Sequence, residues 1–279
     1  MSNAWNRRTM SIAFGIAALL STLAVSQEKQ EFHCTVGPKP VVSITNNYGP
    51  ITVKPSGNNQ VVATTVSHSG DVTFLNEQHG NRVVLRAESK RPDTDLADYI
   101  VQVPSDAVVS LRSSGGRLHA EGLRGDVILE ASTAAVEVSD ITDAHVHIKT
   151  LSGPINLAGI RGSHLDVYSV SGNVSVHNVT ESSVEVHAGS GRITYDGDPG
   201  VSGEYTLTTH TGDLDVSIPA SAAVVINARS LRGESGETRS TAGNRPVAGE
   251  NNLFVKPGLT GATRFVLHSF KGKIRLTRP

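Results

Sequence analysis

Cysteine is all but missing, with Cys34 the only one in 279 residues. That excludes a disulfide framework and any zinc site built from several thiolates. Aromatic residues are nearly as scarce. Six Phe, five Tyr and one Trp are too few to build a core around large rings, so the core must be aliphatic. Neither sign of charge is in excess, with 25 Lys and Arg against 26 Asp and Glu, which argues against a nucleic-acid or anionic-membrane surface. No G-x-S-x-G elbow, HExxH pair, phosphate loop or dinucleotide fingerprint occurs. What the chain does have is glycine, 27 residues, above the usual ~7%. The length suits one or two domains with a sizeable core.

One long apolar run exists, at the start. Arg7 and Arg8 precede a mostly apolar stretch from Met10 to Val25, and Ala24-Val25-Ser26 offers the small-x-small pattern of a signal-peptidase site. The run is shorter than the ~20 residues needed to span a bilayer. Residues 1–26 are therefore expected to be a signal peptide, cut before Gln27, leaving 23 basic against 26 acidic residues in an exported chain. No later segment is long and apolar enough to span, and no barrel or sorting tail is expected after the repeats. Cys34 lies near the new terminus, outside any lipoprotein context, and is expected to be an unpaired thiol there. A catalytic pair with the adjacent His33 is not expected, because sequence adjacency does not give the spatial pairing such chemistry needs.

The glycines are periodic. A segment Gly-x-φ-x-φ, with φ apolar, recurs as Gly116-Arg-Leu118-His-Ala120, Gly153-Pro-Ile155-Asn-Leu157, Gly172-Asn-Val174-Ser-Val176, Gly191-Arg-Ile193-Thr-Tyr195 and Gly212-Asp-Leu214-Asp-Val216. Ala134-Ala-Val136-Glu-Val138 fills the gap after the first, and outlying copies start at Gly49 and Gly272. From 116 to 212 the steps are 18, 19, 19, 19 and 21 residues. A second alternating stretch precedes each glycine: Val127 to Leu129, Val146 to Ile148, Leu165 to Val167, Val184 to Val186 and Tyr205 to Leu207. Period-2 alternation rich in Val, Ile and Thr predicts half-buried strands. Units of fixed length whose strands cannot bury a face alone predict an all-β parallel β-solenoid, a β-helix of the right-handed kind with coils of ~19 residues.

Columns follow from the count. Relative to the glycine, positions −7, −5, +2 and +4 are apolar and point inward, and +7 adds Leu123, Ile141, Ile160 and Val179. Position −1 is a column of hydroxyls, Thr133, Ser152, Ser171, Ser190 and Thr211, suited to bonding the backbone from coil to coil. The glycine marks a corner with positive φ or close backbone approach. Repetition is weaker over 27–105, an N-terminal β lead-in that caps the stack, while 106–279 is the solenoid region. Within it, 234–261 is rich in Gly, Ser, Thr, Asn, Arg and Glu and is expected to be an exposed loop. Phe265 to Leu267 and Ile274 to Leu276 are expected to form the closing coil, covered by that loop or used for self-association.

Two clusters could carry chemistry. Asp213 and Asp215 lie two apart on one strand, with Asp196, Asp198 and Glu185 nearby in the count, and paired carboxylates suit a polysaccharide lyase or hydrolase, or calcium. His145 and His164 occupy equivalent positions in successive coils, about 4.8 Å apart, with His147 and His187 on the same outward face, an arrangement open to a transition metal. Outward strand positions are polar simply because they are wet, so neither cluster is assigned. No catalytic, cofactor-binding or metal residue is identified, and no cofactor is expected.

The Val-x-Val-Pro run at 101–104, the units Leu151-Ser-Gly-Pro-Ile-Asn-Leu157, Val170-Ser-Gly-Asn-Val-Ser-Val176 and Gly189-Ser-Gly-Arg-Ile-Thr-Tyr195, then Val216-Ser-Ile-Pro219 and Ser269-Phe-Lys-Gly-Lys-Ile-Arg-Leu276, resemble the bacterial adhesin-like β-strand-repeat family, a domain of unknown function. They are similar also to the head-GIN-domain adhesin-like proteins. The resemblance covers about residues 40 to 278. It implies a β-helical, exported envelope protein of adhesin type, periplasmic, on the outer surface or secreted, and supplies no catalytic residues. A binding or structural scaffold whose partner is a protein or glycan at the envelope is the leading expectation. A polysaccharide-active enzyme and an accessory in envelope-stress sensing are the alternatives.

Overall fold

A computed structural model describes residues 28–47, 49–68, 71–91, 96–232, 235–239, 247–249, 252–255 and 261–279. The expected signal peptide lies outside them, as does much of 234–261. Every regular element among the described residues is a strand, and no helix there is long and apolar enough to cross a membrane.

The strands form two long sheets, one of 12 and one of 13. Between Val108 and Ser217 the chain alternates from one sheet to the other, each coil adding a parallel strand to both. Val127 lies beside Val146, Val146 beside Leu165, Leu165 beside Val184 and Val184 beside Tyr205. In the facing sheet Val136, Ile155, Val174, Ile193 and Leu214 are successive neighbours. All are buried, as are Leu123, Ile141, Ile160 and Val179 in the third column. Equal spacing brings equivalent residues together, and alternation gives each strand one dry face.

Two corners turn each coil, for different reasons. At Gly172, Gly191, Gly212 and Gly272 a Cβ would run into the carbonyl oxygen of the corner glycine one coil before. None of the four has φ in the left-handed region, so it is close approach that requires glycine there. Six residues on, Gly122, Asp140, Gly159, Asn178 and Gly197 all have positive φ, between 49° and 138°. Glycine, Asn and Asp adopt that conformation at least cost, and this second column is a signal the sequence reading passes over.

A column of buried hydroxyls at position −3 also escapes that reading. Ser113, Thr150, Ser169, Thr209 and Ser269 are nearly inaccessible. Ser169 Oγ accepts from the Gly172 amide at 2.9 Å, Thr209 Oγ1 from that of Gly212 at 3.1 Å and Ser269 Oγ from that of Gly272 at 2.8 Å. Each hydroxyl also donates to a corner carbonyl, so no polar atom of the tight turn is left dry. The −1 hydroxyls act as expected where Thr133 donates to Ser114 O at 2.9 Å and Ser171 to Leu151 O at 3.1 Å, each one coil back.

Both ends break the chain order. Thr263–Ser269 pairs with Glu204–Thr209 on one side and with Val224–Ser230 on the other, and Ile274–Thr277 lies between Leu214–Ser217 and Ser235–Arg239. The expected closing coil is therefore the penultimate one, slotted between coils made earlier in the chain. The segment expected to be a loop, 234–261, carries the strands Ser235–Arg239, Val247–Gly249 and Asn252–Val255; the last pairs antiparallel with Val224–Ser230, and Val247–Gly249 pairs outside it at the sheet edge. An exposed strand edge favours such pairing, even by a weakly patterned segment. At the other end Val41–Thr45 sits between Val108–Ser113 and Arg82–Ser89, and antiparallel strands Glu28–Thr35 and Val72–His79 form the outer edges. Cys34 is thus not in a frayed terminus. It is buried opposite Val61, and burial pushes its thiol pKa up. Its neighbour His33 points to the opposite, exposed face.

Large rings concentrate at these two ends. Phe74 and Tyr99 meet edge to face at 5.5 Å. Tyr195, Tyr205 and Phe265 form a cluster at 4.7–5.5 Å in the coil that the repeat lengthens to 21 residues. The Tyr195 and Tyr205 hydroxyls both donate to Val179 O at 3.1 Å. The wider coil has room that Val and Leu would leave empty.

Candidate functional site

The two sheets separate the residues that the count places near one another. Asp213 and Asp215 lie in or beside the sheet of Leu214–Ser217, whereas Glu185 belongs to Thr180–Ala188 in the opposite sheet, so these acids do not share a site. Asp215 is gripped by Arg192 and Arg275, each at 2.9 Å, and the same guanidinium groups reach Asp213 at 3.6 and 3.2 Å. The Lys273 amide donates to Asp213 at 2.8 Å and, with the two arginines, holds its carboxyl below the usual range. Asp213, held as its carboxylate, does not supply the general acid, and Asp215, gripped by two guanidinium groups, is not the freely placed partner that glycosidic cleavage needs. Asp196 lies 4.0 Å from His177, and Asp198 accepts from the Gly200 amide at 2.9 Å, a turn cap.

The histidines are also spoken for. His145 and His164 are ladder neighbours, but their rings tilt by 53° at 6.4 Å. His145 contacts Asp126 at 3.1 Å, His147 contacts Asp166 at 2.9 Å and His187 contacts Glu185 at 2.6 Å. Among the described residues no group of three or more His, Cys, Asp or Glu is placed to hold a metal ion.

A feature that residue counting does not flag is a groove beside the glycine corner. Along the outward side of the sheet containing Val127–Ala131, position −4 runs Arg112, Glu130, Lys149, Tyr168, His187 and Thr208, then His268 and Arg229, each paired in register with the next. At the corner, position −2 runs Leu151, Val170, Gly189, His210 and Phe270, with Leu231 beyond. Leu151, Val170 and Leu231 are exposed by 60%, 59% and 48%. Between these two rows lies the buried position −3, which forms the floor. The result is a cavity of about 800 Å³ from Asn47 to Gly189 and a second of about 340 Å³ from His187 to Phe270, with His187 and Ala188 lining both. Eight rungs at about 4.8 Å give a continuous trough of about 34 Å.

Its rings are fixed. Tyr168 and His187 stack at 5.2 Å and 12°, and His210 and Phe270 at 4.8 Å and 5°. Arg232 lies over the Phe270 ring at 5.4 Å. Tyr168 and His187 thus line the trough as one stacked pair, with the His187 Nε2 held on Glu185 at 2.6 Å. The Asp166 and Glu185 charges push the Tyr168 phenol pKa up, keeping it a donor. Only consecutive-coil register makes this wall, so a reader of the sequence could find it by following the −4 and −2 columns instead of the inward ones.

One acid does stand out by burial. Glu181 is 4% exposed and neither carboxylate oxygen has a hydrogen-bond partner. Desolvation pushes its pKa up to about 7. Folded Glu181 thus holds its proton more tightly than the unfolded chain does. Its neutral form is accommodated fully below about pH 4.5, and stability falls as pH rises from there to about 7, where the folded group also ionises. Glu181→Gln should therefore leave urea stability near pH 4 almost unchanged and raise it at pH 8 by about 3 kcal/mol. Equal effects at both pH values would contradict this.

No curated protein matches the chain. Several solved structures are similar to the chain at low identity. A candidate adhesin from Bacteroides fragilis is 12% identical, with a TM-score of 0.41 over 90% of this chain and 98% of that one. A candidate cell adhesion protein from Clostridium sporogenes is 9% identical, with a TM-score of 0.33 over 91% and 100%. A candidate lipid binding protein from Parabacteroides distasonis is 8% identical, with a TM-score of 0.27 over 88% and 96%. A family model decides the assignment, matching residues 22–253: the chain belongs to the Toastrack DUF4097 family.

Proposed function

We propose that this chain is an exported, non-enzymatic, adhesin-like scaffold of the bacterial cell envelope, which captures an extended polymer along the trough beside its glycine corner. The observation that supports this is the continuity of the trough, two cavities sharing His187 and Ala188 across consecutive coils. A compact substrate needs one deep pocket with convergent polar groups. An open trough with a repeating wall suits a repeating ligand. Export rests on the leader at 1–26, and the compartment is the periplasm, the outer surface or the medium. The solenoid is right-handed in this reading, the hand favoured wherever parallel neighbours in one sheet are joined by a crossover, with coils of ~19 residues.

The test uses Leu151→Glu with Val170→Glu, which crowd the trough from its exposed wall without touching the core. Fluorescent wild-type protein should bind bacterial cells and purified envelope polymers, and the double variant should bind about tenfold less. Equal binding by the variant would overturn the assignment of the site. Release of reducing ends or unsaturated products from any polymer would overturn the non-enzymatic reading.

A further inference from the structure

We propose that the polymer held in the trough is an anionic polysaccharide, a chain of carboxylated or sulfated pyranoses lying along the stack with one sugar per coil. This rests on the trough being a binding site and adds the class of ligand.

The two walls differ in chemistry. On the −4 wall Lys149 and Arg229 are cations and Tyr168 and Thr208 carry hydroxyls, while the His187 ring is held by Glu185 at 2.6 Å. Its one acid, Glu130, is already engaged by Arg112 at 2.6 Å. No carboxylate pairs with Lys149 or Arg229 among the described residues, and the two stand five rungs apart, about 24 Å. A protein whose acids outnumber its bases outside the leader thus keeps a basic strip here. Unpaired cations in line along a wall are arranged for charges spread along a ligand. On the opposite wall Leu151, Val170 and Leu231 offer exposed apolar surface. A uronate or sulfated sugar has this same division, with a charged edge and a C–H face.

Spacing and ring orientation select among polyanions. A coil rise of about 4.8 Å is close to the length of one pyranose in an extended glycan, whereas an extended peptide advances about 3.3 Å per residue and drifts out of register with the rungs. A single-stranded nucleic acid needs aromatic faces on which bases can stack. Here the Tyr168–His187 and His210–Phe270 stacks take one face of each ring, so the walls offer no row of free faces, one per base.

The experiment is calorimetric titration of the full chain with hexamers of galacturonate and mannuronate, a sulfated galactan, neutral cellohexaose, oligo-dT and poly-glutamate. The acidic glycans should bind, weaken as salt rises, and lose about tenfold in affinity in Lys149→Ala and again in Arg229→Ala. Both side chains are at the surface, so folding should be unaffected, and circular dichroism checks it. Cellohexaose binding as tightly as the uronates would overturn the anionic assignment and leave a glycan trough. Oligo-dT or poly-glutamate binding more tightly than any glycan would overturn the ligand class. Failure of every glycan, with envelope binding still lost in Leu151→Glu/Val170→Glu, would overturn this inference and leave the trough as a site for another polymer.

Discussion

Replacing Gly191 by Ala should cost about 2–4 kcal/mol in urea denaturation, and Val should prevent folding of the central coils. A Cβ at 191 would overlap the Gly172 carbonyl oxygen, a backbone atom fixed by its own coil, and Gly191 O in turn lies under Gly212. Neither neighbour can yield without shifting a whole rung, because interiors at crystal-like density transmit strain instead of absorbing it. The control lies in the same column. Ala134 already carries a Cβ at this corner, where the preceding Gly116 turns with φ of 92° and its carbonyl accepts from the Ala135 amide at 3.1 Å. Ala134→Gly should therefore change stability by under about 1 kcal/mol. Equal cost at 134 and 191 would show that the corner depends on dihedral freedom and not on backbone approach.

Phe265→Ala should be as damaging, at about 3–5 kcal/mol. The ring is fully buried, stacks on Tyr205 at 4.7 Å and meets Tyr195 edge-on at 5.4 Å. Its strand lies between Glu204–Thr209 and Val224–Ser230 and joins them in one sheet. Truncation before Thr263 should go further and leave everything after about Pro219 open to trypsin at Arg229 and Arg232. A chain so truncated that still protects these sites would contradict the slotted arrangement. The same topology predicts that the C-terminal coils complete only after Thr263–Ser269 is made, since Val224–Ser230 has no parallel neighbour until then.

The sequence reading goes furthest where every coil repeats the same choice. Val, Ile and Leu at four inward positions, spaced 19 apart, leave one consistent arrangement, and residues such as Ile155 and Val174 fall where the count puts them. It goes less far where topology overrides order. Nothing in Phe265-Val-Leu267 marks it as an inserted strand, because its pattern equals that of any closing coil; only the ring cluster with Tyr195 and Tyr205 gives it away, and that needs coordinates. Ser169 and Thr209 read as ordinary polar residues before the corner, yet their burial follows from bonds to Gly172 and Gly212 that the periodic pattern does not express. The candidate site was the least legible. The acids that stand out in the sequence, Asp213 and Asp215, are clamped by arginines, while the trough is assembled from side chains that carry no motif and become a wall only when coils stack.

The central claim is that the trough reads one ligand unit per rung over its whole length. Calorimetry with uronate oligomers of increasing length tests it most directly. Affinity should climb with each added sugar until about eight rungs are filled and then level off. Affinity that is already maximal for a disaccharide would place binding in one local pocket and contradict the account.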